Sequence, residues 1–471
     1  MSIREPMPLN PFTYGNPITD ARRFFARQRE VEQLFSRLRN VEFESSSLVG
    51  ERRIGKTSLL YYIADPDVRV AHGLPLDRYS FVYMDLALLD ANTTPGRLWQ
   101  YLLRQIAQAL DDAEFANAVA ALHDHVQIDT FVLADLFDRI DAQGRHIVLL
   151  LDEFENITRN PNFGADFFYS LRSLAIHHNL ALITSSRREL IDLTHSDEIR
   201  SSPFFNIFAN ITVELFTPDQ AREFIGNTLQ DTAVRFTTLE VERLLHVAGP
   251  HPFFLQAACH LLFTAHARQL SAPERDEVWR SAFRAEATRH LQDYWQHSDQ
   301  DEQLVLAALA LLEYQGRAGA WTFNTVQLDR FVGRSERLVQ HLARRGLVIP
   351  RGRTFTLVNS LLAEWIVQFV GEERRSGDKP IALALQQALE RQTISPIPKP
   401  RPTPITYPAG LTPREVEVLR LVASGLSDAQ VAVQLVVSRR TVSTHLQSIY
   451  GKLGVNSRAA ATRYAVEHGL V

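Results

Sequence analysis

Short apolar runs alternate with amphipathic stretches over the first half of the chain. Strand-like runs fall at residues 46–49, 81–86, 146–151, 181–185 and 211–215, with apolar positions at helical spacing between them. Strands separated by helices are joined by crossovers, so the alternation predicts an α/β domain on a parallel sheet. From about residue 217, Leu, Phe and Ala recur at three- and four-residue spacings and the pattern turns helical, as in a lid. Residues 303–370 read as two or three helices with a hairpin candidate at 346–357, the makings of a winged helix. No internal repeat is evident.

The sharpest break lies at residues 395–410, where Pro396, Pro398, Pro400, Pro402, Pro404 and Pro408 alternate with other residues. Proline fixes φ and removes a donor, so this stretch forms neither helix nor central strand and reads as a semi-extended tether, or else as a docking segment. Beyond it, Thr412 is placed to cap a helix with Pro413 at its first position and Glu415 three residues after the cap. Gly425 ends that helix, Ser427 caps a second over 428–435, and Ser438 caps a longer third through Thr441, Val442, His445, Ile449 and Lys452. With Ala432, Val442 and Leu446 at their interface, the last two form a helix-turn-helix. The expected organisation is an α/β nucleotide-binding domain over 1–216, a helical lid over 217–300, a winged helix over 301–371, a helix and Pro-rich linker over 372–410, and an all-α four-helix module over 411–471.

Composition narrows the functional classes. A chain of 471 residues, 45% hydrophobic, is long enough for several cores. Its start lacks an apolar leader core, and the longest apolar-rich run, 304–312, is too short to span a bilayer, so a cytoplasmic protein without a membrane partner is expected. Cys259 is the sole cysteine, which excludes an internal disulfide and a multi-cysteine metal site, and its apolar setting predicts a buried thiol. A net charge of −4 confines any nucleic-acid affinity to a local patch. Such a patch exists in the last module, where Arg414, Arg420, Arg439, Arg440, Lys452, Arg458 and Arg463 outnumber Glu415, Glu417, Asp428 and Glu467.

The chemistry concentrates at Gly50-Glu51-Arg52-Arg53-Ile54-Gly55-Lys56-Thr57, a GxxxxGKT sequence after the apolar run Ser47-Leu48-Val49. Gly50 and Gly55 allow backbone N–H groups to turn toward a polyphosphate, Lys56 reaches its β/γ-phosphates, and the Thr57 hydroxyl can ligate Mg²⁺ at a helix N-terminus. Ser58, one residue into the helix, joins the nucleotide-binding set. The run 146–151 ends in Asp152 and Glu153, suited respectively to hold Mg²⁺ and to polarise the attacking water, as in-line phosphoryl transfer requires. Asp152, Glu153 and Lys56 are therefore the candidate catalytic residues. Arg187, past a later strand, is either a γ-phosphate sensor or a surface arginine.

Residues 16–370 resemble the STAND group of AAA+-type P-loop ATPases, especially archaeal-type relatives. Besides the two acidic and Gly-rich motifs, the likeness rests on Phe24-Phe25-Ala26-Arg27-Gln28-Arg29-Glu30, similar to the family's FxGRxxE opening but with Ala26 where Gly is usual. It rests also on Gly249-Pro250-His251-Pro252-Phe253-Phe254-Leu255-Gln256, similar to a lid motif that in relatives lies over the nucleotide, which makes Pro252 and His251 candidate contacts, with a helix cap as the other reading of His251. The resemblance implies a parallel sheet of the ASCE type, ATP/ADP with Mg²⁺ as cofactors, slow regulatory hydrolysis, and a winged helix that packs on the nucleotide domain. The basic helix over 335–345 leaves open a DNA contact instead. ATP rather than GTP is implied by resemblance alone.

Residues 411–471 resemble the LuxR/GerE-type DNA-binding domain, through Leu411-Thr412-Pro413-Arg414-Glu415, Leu419, Gly425, Ala432, Ser438, Thr441-Val442, His445, Ile449, Lys452-Leu453-Gly454-Val455 and Ser457-Arg458. The likeness places Ser443, Thr444 and Gln447 toward bases, with Ser443 where the family often has Lys, and Arg439, Arg440, Lys452 and Arg458 toward phosphates. Together the two resemblances imply an ATP-dependent transcriptional regulator. Its expected partners are double-stranded promoter or operator DNA, a second copy in the ATP state, RNA polymerase and an unidentified inducer or sensor, with the nucleoid as its place in the cytoplasm. The alternatives are a DNA-remodelling or loading ATPase that grips DNA with both winged helix and helix-turn-helix, and a binding protein using ATP as a structural ligand.

Overall fold

The computed structural model describes residues 8–122, 128–193, 203–352, 354–372, 381–394, 411, 413–435, 439–453, 455 and 457–467. The described part falls into two units, within residues 1–392 and 393–471.

A five-stranded parallel sheet organises the start of the first unit, with β1 at Ser46–Val49, β2 at Tyr79–Asp85, β3 at His146–Asp152, β4 at Leu180–Ser186 and β5 at Ala209–Thr212. The fifth strand begins and ends earlier than its apolar run, since Val213 leaves the ladder after one last bond, N–H to the Val49 carbonyl at 2.8 Å. The strand order is β2-β3-β4-β1-β5. Because β4 lies between β1 and β3, the sheet has the ASCE arrangement expected.

Strand β3 shows why the run is apolar throughout. Ile147, Leu149 and Leu151 pack on one face with Leu102, Leu103, Phe137 and Phe168. Val148 and Leu150 pack on the other with Leu34, Phe35, Leu59 and Leu60. A strand covered by helices on both sides has no polar face. Parallel register aligns Asp85 with Asp152, Leu151 with Thr184, and Val49 with Ser186, so the polar carboxyl ends of β1, β3 and β4 meet along one edge. In such sheets that edge is where ligands bind.

Helices follow: Pro218–Leu229, Thr238–Val247, Pro252–Ala267, Ala272–Gln296 and Gln300–Glu313. Then come the helices Thr325–Arg334 and Glu336–Arg344, a hairpin of β8 at Val348–Arg351 and β9 at Thr354–Leu357, after the short pair β6 at Arg317–Ala318 and β7 at Trp321–Thr322, and the helix Ser360–Glu372. The helices between residues 218 and 372 and this hairpin share one hydrophobic core, which takes in the fully buried Cys259.

The second unit has helices Pro413–Ala423, Asp428–Leu435, Arg439–Leu453 and Arg458–Glu467 around a core of Leu419, Val431, Val442, Leu446, Ile449 and Ala461. Ser427 and Gln430 exchange bonds at the second helix start, and Gly425, at φ 92°, follows the end of the first. The Pro-rich stretch, Thr412 and Ser438 lie outside the described residues.

Candidate nucleotide and DNA sites

The loop between β1 and helix Lys56–Ala64 forms a cradle through two glycines. A Cβ on Gly50 would meet the Val213 carbonyl oxygen at 2.8 Å and Ile54 Cγ2 at 3.0 Å, so the close approach admits no side chain. Gly55 caps the helix at φ 105°, in the region glycine enters without strain. Lys56 Nζ donates to the carbonyls of Gly50 at 2.8 Å and Glu51 at 3.1 Å. Burial lowers its pKa, while Glu155, Asp152, Glu51 and Glu153 oppose the shift.

Thr57 and Asp152, distant in sequence, are brought together: the Thr57 hydroxyl donates to Asp152 Oδ2 at 2.7 Å. Tyr83 on β2 donates to the same oxygen at 3.1 Å, and burial first, then Asp152, raises its phenol pKa, which keeps it a donor. Asp152 Oδ1 accepts from the Ser185 hydroxyl and from the Glu153 N–H at 3.1 Å. A buried carboxylate flanked by a hydroxyl at a helix start is a hard oxygen pair of the kind Mg²⁺ takes. Glu153 turns out of the strand at φ 52°, its N–H also held by Ser185 Oγ at 3.2 Å, and stays half-buried.

These groups line one cavity of about 410 Å³ that includes Gly55, Lys56, Thr57, Ser58, Asp152 and Glu153, with Arg187 and Pro252. Gly50 is not among its lining residues, and its N–H is taken by the Ser186 carbonyl at 3.1 Å. Ser58 has a second task, accepting the Ile18 N–H at 2.9 Å and so seating the opening segment on the helix. Tyr14, Phe24, Phe25, Phe216 and Phe253 supply an apolar side, suited to a flat base. Arg187 Nε stands 3.6 Å from Glu155 Oε1. Glu155 also lines the cavity and was not singled out from sequence; its only signal was a third acid two residues after Glu153.

The opening motif works through Arg27, which is 4% exposed and donates to the Ile54 carbonyl of the loop at 2.9 Å while pairing with Glu30 at 3.1 Å. Ala26 sits at φ 64°. That explains the family's glycine there, since alanine holds this conformation only under strain.

His251 does not line the cavity. It caps helix Pro252–Ala267, its Nδ1 accepting from the Phe253 N–H at 3.3 Å, which leaves Nε2 protonated to donate to Tyr294 OH at 3.2 Å. Tyr294 donates in turn to the Arg52 carbonyl at 3.3 Å. A chain of bonds thus runs from the lid helix to the phosphate loop. Burial, with Arg27 and Arg53 nearby, pushes the His251 pKa down to about 3.

The helix Glu336–Arg344 leads to the same loop. Arg345, at the end of the basic helix, pairs with Glu51 at 3.0 Å and with Glu302 at 2.6 Å, while His341 lies 3.2 Å from Glu302. Burial pushes the Glu302 carboxyl up, but His341 and Arg345 outweigh it and hold the pKa at about 2. The helix's terminal arginine is thereby engaged within the molecule.

On the helix Arg439–Leu453, Arg439, Ser443, Gln447 and Lys452 are exposed. The side chains of Arg440 and Thr444 lie outside the described residues. Lys452 donates to Glu415 Oε2 at 2.7 Å, beside Ser448 donating to Oε1 at 2.7 Å. Arg458 pairs with Asp428 at 2.6 Å and also bonds the Leu426 carbonyl. Two of the expected phosphate contacts thus also tie the helices of their own bundle together.

Sheet order, cradle and paired acids define a P-loop NTPase. Residues 38–312 match the family described as Novel STAND NTPase 2, and the chain belongs to that family. Residues 409–465 match the bacterial regulatory proteins of the luxR family, so the chain joins an NTPase domain to a LuxR-type helix-turn-helix domain. The transcriptional regulatory protein YdfI of Bacillus subtilis is 48% identical over 61 residues, 13% of this chain and 29% of that protein. The nitrate/nitrite response regulator protein homolog of Haemophilus influenzae is 52% identical over 52 residues, 11% of this chain and 25% of that protein. The chain spans under a third of the length of these curated relatives. Among solved structures, the ORC2 protein of Aeropyrum pernix in its ADPNP-ADP complexes is similar over 82% of this chain and 98% of that one, at TM-score 0.51 and 13% identity, a likeness of fold. No described helix is long and apolar enough to cross a membrane.

Proposed function

We propose that the chain is a transcriptional regulator in which ATP, held with Mg²⁺, switches DNA binding by the helix-turn-helix, with slow hydrolysis resetting the switch. The observation that carries this reading is the Thr57–Asp152–Glu153 constellation at the cavity, on one chain with a LuxR-type domain. In this reading Gly50, Gly55, Lys56, Thr57 and Ser58 cradle the phosphates, and Thr57 and Asp152 hold the metal. Bound there, Mg²⁺ would neutralise charge on the β- and γ-phosphate oxygens. Glu153 polarises water, Arg187 meets the γ-phosphate, and Pro252 closes the lid side.

The ties from the loop to Tyr294 and Arg345 support an intramolecular role for lid and winged helix, over a direct grip on DNA. In the ADP state these ties hold lid and winged helix closed; ATP reorders them and favours self-association. A single helix-turn-helix binds weakly, so pairing two on adjacent half-sites raises affinity through effective concentration. Arg439, Arg440, Lys452 and Arg458 then meet phosphates, and Ser443, Thr444 and Gln447 face bases. RNA polymerase and an inducer or sensor complete the proposed partners, with the nucleoid as the site of action. The division into ATPase domain 1–216, lid 217–300, winged helix 301–371, linker 372–410 and DNA-binding module 411–471 belongs to the same proposal.

The test is capture of sheared genomic DNA on the purified chain with Mg²⁺ and either a non-hydrolysable ATP analogue or ADP, at physiological salt. Enrichment of discrete promoter sites with the analogue alone is expected. Equal capture in both states would sink the switch.

A further inference from the structure

Residues Glu155 and Arg187 are brought side by side by the ends of β3 and β4. The Phe154 N–H donates to the Ser185 carbonyl at 2.8 Å, locking the two chain exits together just before each side chain departs. Glu155 is 5% exposed; its Oε1 lies 3.6 Å from Arg187 Nε, and its Oε2 is buried without a hydrogen-bond partner. At 3.6 Å the contact is an ion pair without a hydrogen bond, and a buried carboxylate with one oxygen unpartnered is costly and adds little to stability. Burial, with Glu153, drives its pKa up, while its own backbone N–H, then Lys56 and Arg187, pull the other way. The geometry gives it a purpose. It meets the guanidinium along the Nε edge, and among the described residues the two Nη groups make no other ion pair or hydrogen bond. Both residues line the nucleotide cavity, so the free end of a planar fork is available to an anion there.

We propose that Glu155 is a positioning residue, holding Arg187 by its Nε edge so that its Nη groups meet the terminal phosphate of a nucleoside triphosphate. The inference rests on the reading of Arg187 as the γ-phosphate contact. An arginine left free must be immobilised on binding; one already held loses less freedom per hydrogen bond formed.

The experiment compares Kd values of ATPγS and ADP, each with Mg²⁺, for the full chain and for Glu155→Gln, Arg187→Ala and the double variant. Expected are losses of roughly tenfold in ATPγS affinity for each single variant, ADP affinity held within about twofold, and a double variant no weaker than Arg187→Ala. Retained ADP affinity reports an intact fold. If Arg187→Ala loses ATPγS affinity and Glu155→Gln does not, the positioning role is overturned while the Arg187 reading stands. The role is also overturned if Glu155→Gln costs as much without Arg187 as with it, or weakens ADP equally. If Arg187→Ala leaves the ATPγS-to-ADP ratio unchanged, the parent reading fails and takes this one with it.

Discussion

At the scale of single residues, the phosphate loop is set by space and by one buried imidazole. Gly50→Ala would drive a Cβ to 2.8 Å from the Val213 carbonyl oxygen, which has no freedom to retreat because its residue follows β5 directly. The loop would shift instead, and nucleotide affinity should fall more than about tenfold in a fluorescent-nucleotide titration, through lost alignment of backbone donors. His251 makes a different demand. Its pKa is pushed down to about 3, below the ordinary 6.5, so its stabilising contribution is complete above pH 6.5 and lost as pH falls from there toward 3. His146, His266 and His290 are lowered as well, so the wild type alone does not isolate it. Comparison does: between pH 6.5 and 4 the thermal midpoint should fall less steeply in His251→Asn, whose side-chain oxygen can still cap the helix.

Helices and strands act here through their ends. The helix Glu336–Arg344 leads to Arg345, and the helix Gln300–Glu313 begins beside the Glu302 that Arg345 pairs with. Glu302 is 2% exposed, so Arg345→Ala would leave a buried carboxylate with only the His341 side chain beside it and cost about 3 kcal/mol, read as a drop in the denaturant midpoint. The Glu302 contribution is present above the ordinary carboxylate pKa near 4.5 and lost as pH falls from there to about 2, a window below that of His251. Gly249 ends the turn before the lid helix at φ 70°, and a Cβ there would meet the Val358 carbonyl oxygen at 2.2 Å. That approach, with Asn359 Nδ2 donating to the Ala248 carbonyl at 3.1 Å, joins the lid to the chain just after β9. Gly249→Ala should cost about 2 kcal/mol or more of stability, from strain and collision together, read in the same midpoint.

At the scale of the whole molecule, the DNA-binding unit separates residues free to meet DNA from residues also committed to their own fold. Arg439 is exposed, whereas Lys452 is paired with Glu415. Arg439→Ala should weaken binding to any duplex and reduce the salt slope by about one ion, with the melting temperature unchanged. Lys452→Ala should lower the melting temperature as well, because it leaves the buried Glu415 without that charge. Calorimetry beside a salt-dependent binding titration tells the two apart.

Local chemistry alone determined much of this protein. The GxxxxGKT loop, the apolar run ending in two acids and the alternation of strand and helix are short-range patterns, so class, sheet type and first contacts were legible in the residues. So was the LuxR-type module, whose signature is a run of closely spaced positions. Tertiary structure decided what depends on distant segments meeting. Nothing near His251 in sequence indicates Tyr294 or Arg52, so whether that histidine would touch nucleotide or cap a helix was open until the lid was folded over the loop. Glu155 carries no sequence signal of its own because a third acid beyond a strand resembles any solvated turn; it is the pairing of β3 with β4, continued by the bond between Phe154 and Ser185, that sets it beside Arg187. The same holds for Arg345, whose partner Glu51 stands 294 residues away. Hydrophobic period and loop spacing are written locally, but the pairing of buried charges is settled by which surfaces the core presses together.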